Sequence, residues 1–366
     1  MYRPMTTRTS QILDLYSDYL IVSFGQTSAT GMSRLMPYLS HDQITRFLGG
    51  KEFDNKDLWK IVKPQVRRIQ HQDAVLIFDD SIEEKAYSDE SELICWHWDH
   101  TLNRHVKGIN LLSAFYYSQD FSLPISLHFV QKTEIAVDKK TKKEKWVSPI
   151  SKNEVLREMI SSAISRQIPF RYVLADSWFS SDENMEFIKL NIKKDFIIPL
   201  KENRNIFLDP AFKNKKEAIK ITELEFETDK VKKVWLEGLS FPVHICRQVF
   251  KHEDGSENAL YLCTSDLTLS ASAIVTCYQK RWKVEVYHKS IKSNTSFSKS
   301  PARRVGSQLN HLFCSVVAYV KLEVFRMGTG MNHFAQKAQL YQAALVSAWS
   351  KLQEIKLVAP KLAITL

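Results

Sequence analysis

The sequence predicts an α/β protein whose central sheet is interrupted by a β-rich insertion and flanked by helical terminal regions. Short apolar runs of strand length recur between Ala74 and Leu200, and segments with a helical period separate the later ones. A second group of strand-like runs follows within residues 203–266, where no helical pattern intervenes. Helical patterns dominate residues 1–70 and the chain after residue 267.

Composition indicates a globular protein with a polyanionic partner. The 366 residues are 44% hydrophobic and 25% charged, and the formal net charge is +10. No apolar run is long enough to span a bilayer and the first residues do not form a secretion signal, so we expect a cytoplasmic protein without membrane contact. The five cysteines have no CxxC spacing, which disfavours a disulfide framework and a zinc site.

The first 70 residues are predicted to form a helical region, with two short helices that are candidates for DNA contact. Ser40 is a predicted helix N-cap with Gln43 three residues later, and the helix is expected to end at Gly49. The preceding segment, TGMSRLM, predicts a short helix that ends before Pro37. Two short helices around a turn suit a helix-turn-helix that contacts DNA, although many such pairs only pack together.

The order of elements in residues 71–202 predicts a ribonuclease-H-like catalytic core. Three strands come first, and they are followed by a helix, a strand, a helix and a strand. The first three strands are predicted from AVLIFD, VKGINLLSAFYY and LPISLHFVQK, and the later strands from FRYVLAD and DFIIPL. We expect the core to resume at residues 267–327, after the β-rich insertion of residues 203–266, and a C-terminal helical region to occupy residues 328–366.

Three carboxylates are predicted to converge on this core. Asp80 ends the first strand and Asp176 ends the fourth, and ligands of α/β sheets gather at the carboxyl ends of neighbouring strands. Glu285 lies on a helix expected to pack across the same edge. Carboxylate oxygens without His or Cys favour Mg²⁺ or Mn²⁺, which would also offset the repulsion among like charges. Asp79 could replace Asp80, because only one of two successive strand residues points into a site.

The segment YQKRWKVEVYHKSIK, residues 278–292, predicts a single helix with an unusual polar face. Tyr278, Arg281, Glu285 and Lys292 have offsets of 0, +3, +7 and +14, which places them within about 60° of one another on a helix. A solvated face held by ordinary ion pairs would account for these residues without a function. A site would require that Glu285 meet the other carboxylates.

Strand-Asp80, strand-Asp176 and the Y-x2-R-x3-E-x6-K pattern together resemble the DDE transposases of bacterial insertion sequences, and among them the insertion-sequence-four superfamily. The resemblance implies two divalent ions held by Asp80, Asp176 and Glu285, which serve DNA cleavage and strand transfer. It implies that Tyr278, Arg281 and Lys292 hold phosphates of the transposon end. It also implies recognition of terminal inverted repeats in double-stranded DNA, a homodimer in the synaptic complex, and joining to target DNA.

Other interpretations of the sequence stay open at this point. Some similar proteins stack a tryptophan of the insertion on a flipped base, and Trp235 is the candidate. Trp178, beside Asp176, is interpreted as a core residue. A metal-dependent nuclease or resolvase without strand transfer would suit the same fold, as would a DNA-binding protein that has lost catalysis. A structural interaction protein would not retain DNA at low salt.

Overall fold

A computed structural model describes residues 7–99, 102–137, 142–227, 229–251 and 255–358 of the chain. The chain divides into two compact units. Unit 1 comprises Met1–Glu52 with Lys289–Leu366, and unit 2 comprises Phe53–His288. Residues 1–6 and 359–366, the outer ends of the predicted terminal regions, lie outside the described residues. Within those described ranges, no helix has both the length and the apolar character required to cross a membrane.

Helices occur in both units, and strands occur in unit 2 of the described chain. The helices are α1 (Thr7–Val22), α2 (Ala29–Leu35), α3 (His41–Leu48), α4 (Asn55–Ile69), α5 (Lys152–Ser165), α6 (Asp182–Glu186), α7 (Pro210–Lys215), α8 (Ala271–Gln279), α9 (Trp282–Asn294), α10 (Val305–Thr329) and α11 (His333–Val358). The strands are β1 (Val75–Glu84), β2 (Cys95–Asp99), β3 (Arg104–Ser118), β4 (Phe121–Phe129), β5 (Glu134–Val137), β6 (Glu144–Val147), β7 (Tyr172–Ala175), β8 (Asp195–Leu200), β9 (Asn205–Phe207), β10 (Ile219–Lys220), β11 (Lys232–Leu236), β12 (Pro242–Lys251) and β13 (Glu257–Thr264).

Unit 2 is built on one large mixed sheet, which confirms the predicted α/β class. Its first part has the order β4-β3-β1-β7-β8, in which β4, β3 and β1 are antiparallel while β1, β7 and β8 are parallel. This order is consistent with the predicted ribonuclease-H-like layout. The central strand β1 is buried from Val75 to Asp79, as its apolar run requires.

The strands of residues 203–266 continue this sheet. β13 pairs antiparallel with β8, so that Tyr261 lies opposite Leu200, and β12, β11, β9 and β10 follow in that order. Backbone hydrogen bonding between β13 and β8 therefore joins the predicted insertion to the first part of the sheet. The division of the chain into four functional regions stays a prediction.

Strand β2 and the hairpin of β5 and β6, all in unit 2, were not predicted from the sequence. β2 pairs with β3 and alternates buried Cys95 and His97 with exposed Trp96 and Trp98, a period of two that predicts a strand. The hairpin of β5 and β6 has mostly exposed residues, so it lacks the alternation that would have revealed it.

Unit 1 consists of α1, α2, α3, α10, α11 and residues 289–294 of α9. Polar contacts in its core join distant segments: the hydroxyl of the fully buried Tyr16 lies 3.0 Å from His311 Nδ1, and His311 Nε2 lies 3.0 Å from the Ser296 carbonyl oxygen. The capping box of Ser40 and Gln43 is confirmed at the start of α3. DNA binding by α2 and α3 stays a prediction.

Candidate active site

Asp80 and Asp176 lie within two residues of the point where the parallel pairing of β1 and β7 ends. Phe78 of β1 pairs with Ala175 of β7. Asp80 follows this pair by two residues and Asp176 by one. Asp176 directly follows β7, as predicted. The prediction that Asp80 ends its strand is wrong, because β1 continues from Asp80 to Glu84 by pairing with β3. Asp176 accepts a hydrogen bond from the Trp178 backbone N–H at 3.0 Å through its Oδ1 atom, and it thereby caps a short 3₁₀ turn. This edge of the sheet is where sites of α/β proteins gather.

Asp80 is held on one face of the sheet by a lysine and an amide. Its Oδ2 atom accepts hydrogen bonds from Lys152 Nζ at 2.9 Å and from Asn110 Nδ2 at 3.0 Å. Lys152 is the first residue of α5, and Asn110 lies on β3. The Asp80 side chain is 16% exposed, so it can still be reached from solvent.

Asp79 points to the opposite face, as strand alternation requires. Its Oδ2 atom accepts from Arg281 Nη1 at 3.3 Å, and His288 Nε2 lies 3.8 Å away. Asp79 is 7% exposed. Burial raises its pKa well above the ordinary value, Arg281 opposes that change, and the charges of Asp176, Glu285 and Asp80 raise the pKa further.

The predicted single helix of residues 278–292 is wrong, because α8 ends at Gln279 and α9 begins at Trp282. At the interruption the backbone forms tighter i→i−3 hydrogen bonds, including Arg281 N–H to the Tyr278 carbonyl at 2.8 Å and Val284 N–H to the Arg281 carbonyl at 2.9 Å. The interruption coincides with Arg281, whose guanidinium turns toward Asp79. The helical pattern continues across it, so periodicity alone could not show the break.

Arg281 links the buried aspartate to the predicted catalytic glutamate. Its Nη2 atom lies 3.5 Å from Glu285 Oε1, and the Arg281 side chain is only 14% exposed while that of Glu285 is 46% exposed. The guanidinium carbon lies 5.8 Å from the centre of the Tyr278 ring, and burial raises the pKa of the Tyr278 hydroxyl. Lys292 is in the last turn of α9 and belongs to unit 1.

The carboxylate oxygens at this edge are the type of ligand that a hard divalent cation prefers. Burial raises the pKa of Asp176, and the nearby charge of Asp80 raises it further, so a bound cation would relieve a real repulsion. The three predicted ligands are nevertheless not gathered around one point: within the described ranges, no three His, Cys, Asp or Glu side chains are close enough together to hold one metal ion. Glu285 is instead oriented toward Arg281.

Several residues at this edge were not predicted. Lys152 and Asn110 are remote from Asp80 in the chain and belong to no motif, so no sequence signal indicated their contact. The interpretation of Trp178 as a core residue is wrong, because this side chain is 42% exposed beside Asp176. Lys152 Nζ lies 5.0 Å and Lys201 Nζ 5.5 Å from the centre of its ring.

Trp235 lies on β11, opposite both Pro242 of β12 and Phe207 of β9. Its side chain is half-buried, and Lys233 Nζ lies 5.4 Å from the centre of its ring. A role in stacking on a flipped base stays a prediction.

Two families match the chain. The family described as DDE superfamily endonuclease matches residues 1–218, and the family described as transposase DDE domain matches residues 129–321. Both place the chain among nuclease-type enzymes. Each match covers more than half of the 366 residues, and the chain belongs to the DDE transposases. No protein of curated function matches it.

Proposed function

We propose that this chain is the transposase of a bacterial insertion sequence of the insertion-sequence-four superfamily, with a ribonuclease-H-like catalytic core. It would cut the ends of its element and join them to target DNA by phosphoryl transfer. The supporting observation is that Asp80 and Asp176 lie within two residues of the point where the parallel pairing of β1 and β7 ends, in a member of the DDE transposases. Glu285, tied to the same edge through Arg281 and Asp79, supplies the third carboxylate.

Asp80, Asp176 and Glu285 would hold two Mg²⁺ or Mn²⁺ ions. Such ions, when bound, lower the pKa of an attacking water or 3′-hydroxyl and stabilise the leaving oxygen of an in-line displacement. The protein's own part is to present the carboxylates at one sheet edge. Asp80 is oriented by Asn110 and Lys152, and Asp176 by the Trp178 backbone N–H. Glu285 would have to turn from Arg281 toward the aspartates.

Tyr278, Arg281 and Lys292 would position the phosphates of the transposon end beside the cut. A guanidinium carries five N–H donors, so Arg281 can bind Asp79 and Glu285 and still offer donors to a phosphate. Residues 1–70 would bind the terminal inverted repeats. Two copies would pair two DNA ends in a synaptic complex, and Trp235 would stack on a flipped base if cleavage passes through a hairpin.

Neutral isosteric substitutions test the catalytic assignment. Asp80→Asn, Asp176→Asn and Glu285→Gln should each abolish Mg²⁺-dependent cleavage of a duplex that carries the sequence flanking the gene, because each removes one ligand charge. Affinity for that duplex should be retained. Asp73→Asn is the matched control: Asp73 is exposed near the amino end of β1, and its variant should cleave at the wild-type rate. Normal cleavage by one of these variants would show that the substituted residue is not part of the site.

A nuclease or resolvase without strand transfer is the second candidate, favoured by the match to DDE superfamily endonucleases. A joining assay separates the two activities. The protein is given a pre-cut end with a free 3′-hydroxyl and a supercoiled target plasmid in Mg²⁺. Covalent joining of end to plasmid supports the transposase, whereas cleavage of uncut duplex without any joining supports the nuclease.

A further inference from the structure

Trp178 is an exposed aromatic side chain in an unusual place. It follows Asp176 directly at the carboxyl end of β7, and 42% of its surface is accessible. Its backbone N–H is fixed by Asp176 Oδ1, so the indole is attached to the same turn that carries the predicted catalytic aspartate. The indole is therefore not buried in the core, and two lysine ammonium groups lie close to its ring.

Two lysines from different elements meet on this indole. Lys152 begins α5 and Lys201 directly follows β8, and their Nζ atoms lie 5.0 Å and 5.5 Å from the ring centre. Both distances are within the range of cation–π attraction. Like charges repel, so gathering two ammonium groups on one ring requires a compensating attraction, which the ring and Asp80 supply in part.

The positive charge of this cluster is only partly compensated. Lys152 Nζ forms an ion pair with Asp80 Oδ2 at 2.9 Å. Lys201 is exposed and its ammonium group lies over the Trp178 ring, and among the described residues it forms no ion pair with a carboxylate. Lys201 therefore presents a cation at the carboxyl end of β8, whose parallel neighbour β7 is directly followed by Asp176.

We infer that Lys152, Lys201 and Trp178 form a phosphate-binding site for the DNA strand that enters the active site. Lys201 would contact a backbone phosphate directly, Lys152 would share its charge between Asp80 and a phosphate, and Trp178 is a positioning residue that holds both ammonium groups. Arg281 reaches the buried Asp79 on the opposite face of β1. The part of β1 that carries Asp79 and Asp80 thus has a cation on each face of the sheet, Arg281 at Asp79 and Lys152 at Asp80. This inference rests on the proposed function, because it takes DNA as the ligand.

The salt dependence of DNA affinity tests the site. One lost phosphate contact lowers the slope of log affinity against log salt by about 0.9, which corresponds to an affinity loss of about eightfold at 0.1 M salt relative to 1 M. Lys201→Ala should show this change on a labelled duplex that carries the sequence flanking the gene. Trp178→Leu should lower the affinity for the duplex. Trp178→Phe should bind it almost as tightly as the wild-type protein, because a phenyl ring also attracts cations.

Lys194→Ala is the matched control. Lys194 precedes β8 at its amino end, and its Nζ atom lies 5.3 Å from the centre of the Phe170 ring, so it makes the same kind of contact at the opposite edge of the sheet. Its variant should keep the wild-type slope. All variants are compared at equal folded fraction, measured by urea unfolding.

The outcomes separate this inference from the proposed function. If the wild-type protein binds the duplex and Lys201→Ala keeps the wild-type slope, as Lys194→Ala does, the phosphate site is wrong while the transposase proposal stands. An unchanged affinity in Trp178→Leu, with the slope changed in Lys201→Ala, would overturn the positioning role of Trp178. If the wild-type protein does not retain DNA even at low salt, both the proposed function and this inference fail.

Discussion

Replacing Arg281 by alanine tests the central ion pair of the candidate site. The change removes the partner of Asp79, which is 7% exposed, and releases Glu285. Breaking a buried ion pair by deleting one partner typically costs about 3 to 5 kcal/mol, because the remaining charge stays desolvated. We expect about 3 kcal/mol, the lower end, because burial already raises the pKa of Asp79 and the carboxyl group can take up a proton.

Urea unfolding in EDTA, followed by tryptophan fluorescence, measures this loss. Lys283→Ala is the control two residues further along the chain, in α9: Lys283 Nζ lies 2.7 Å from Asp120 Oδ1, but the pair is exposed and its removal should cost less than about 1 kcal/mol. The free energy of unfolding of Arg281→Lys should lie between those of the wild type and Arg281→Ala, because lysine keeps the charge and loses the planar fork of N–H donors.

Equal unfolding free energies of Arg281→Ala and Lys283→Ala would refute this reasoning. That result would mean that the Asp79–Arg281 pair contributes no more than a surface pair, and that Glu285 is positioned by another contact. The same variants, compared at equal folded fraction, also report on cleavage, where Arg281→Ala should be slower because Glu285 loses its link to the sheet edge.

Three further substitutions test the phosphate contacts and the acid stability. Lys292→Ala should flatten the slope of log DNA affinity against log salt by about 0.9, and Tyr278→Phe should change it little, because only a hydroxyl is lost; equal slopes in all three proteins would contradict the phosphate role of Lys292. Burial, with the charges of Lys132 and Lys152, lowers the pKa of His97 from 6.5 to about 4. The unfolded chain therefore binds more protons between these values, and stability falls as pH drops from about 6.5 to 4, by roughly 3 kcal/mol. His97→Gln should lose less stability than wild type over this window in urea unfolding, and an identical pH profile would contradict the buried, neutral histidine.

Much of the fold could be predicted from short-range patterns in the sequence. Alternation and apolar runs predicted β1, β3, β4, β7 and β8, because each strand buries its own side chains whatever its partners are. The capping box at Ser40 is similarly local, since the cap and its partner Gln43 are three residues apart. Chain order and handedness then restrict the sheet to few topologies. The position of Asp176 directly after β7 followed from the same reasoning, whereas β1 continues beyond Asp80 to Glu84 because β3 pairs with it there.

The tertiary structure decided how the polar groups pair, because pairing joins residues that are distant in the chain. Arg281 meets Asp79 across 202 residues and Lys152 meets Asp80 across 72, and no periodicity connects such partners. Those contacts determine which aspartate faces which helix, and one of them coincides with the break between α8 and α9. The exposure of Trp178 likewise depends on where α5 and β8 place their lysines. Secondary structure is set by neighbours along the chain, whereas the charge environment of a site is set by neighbours in space.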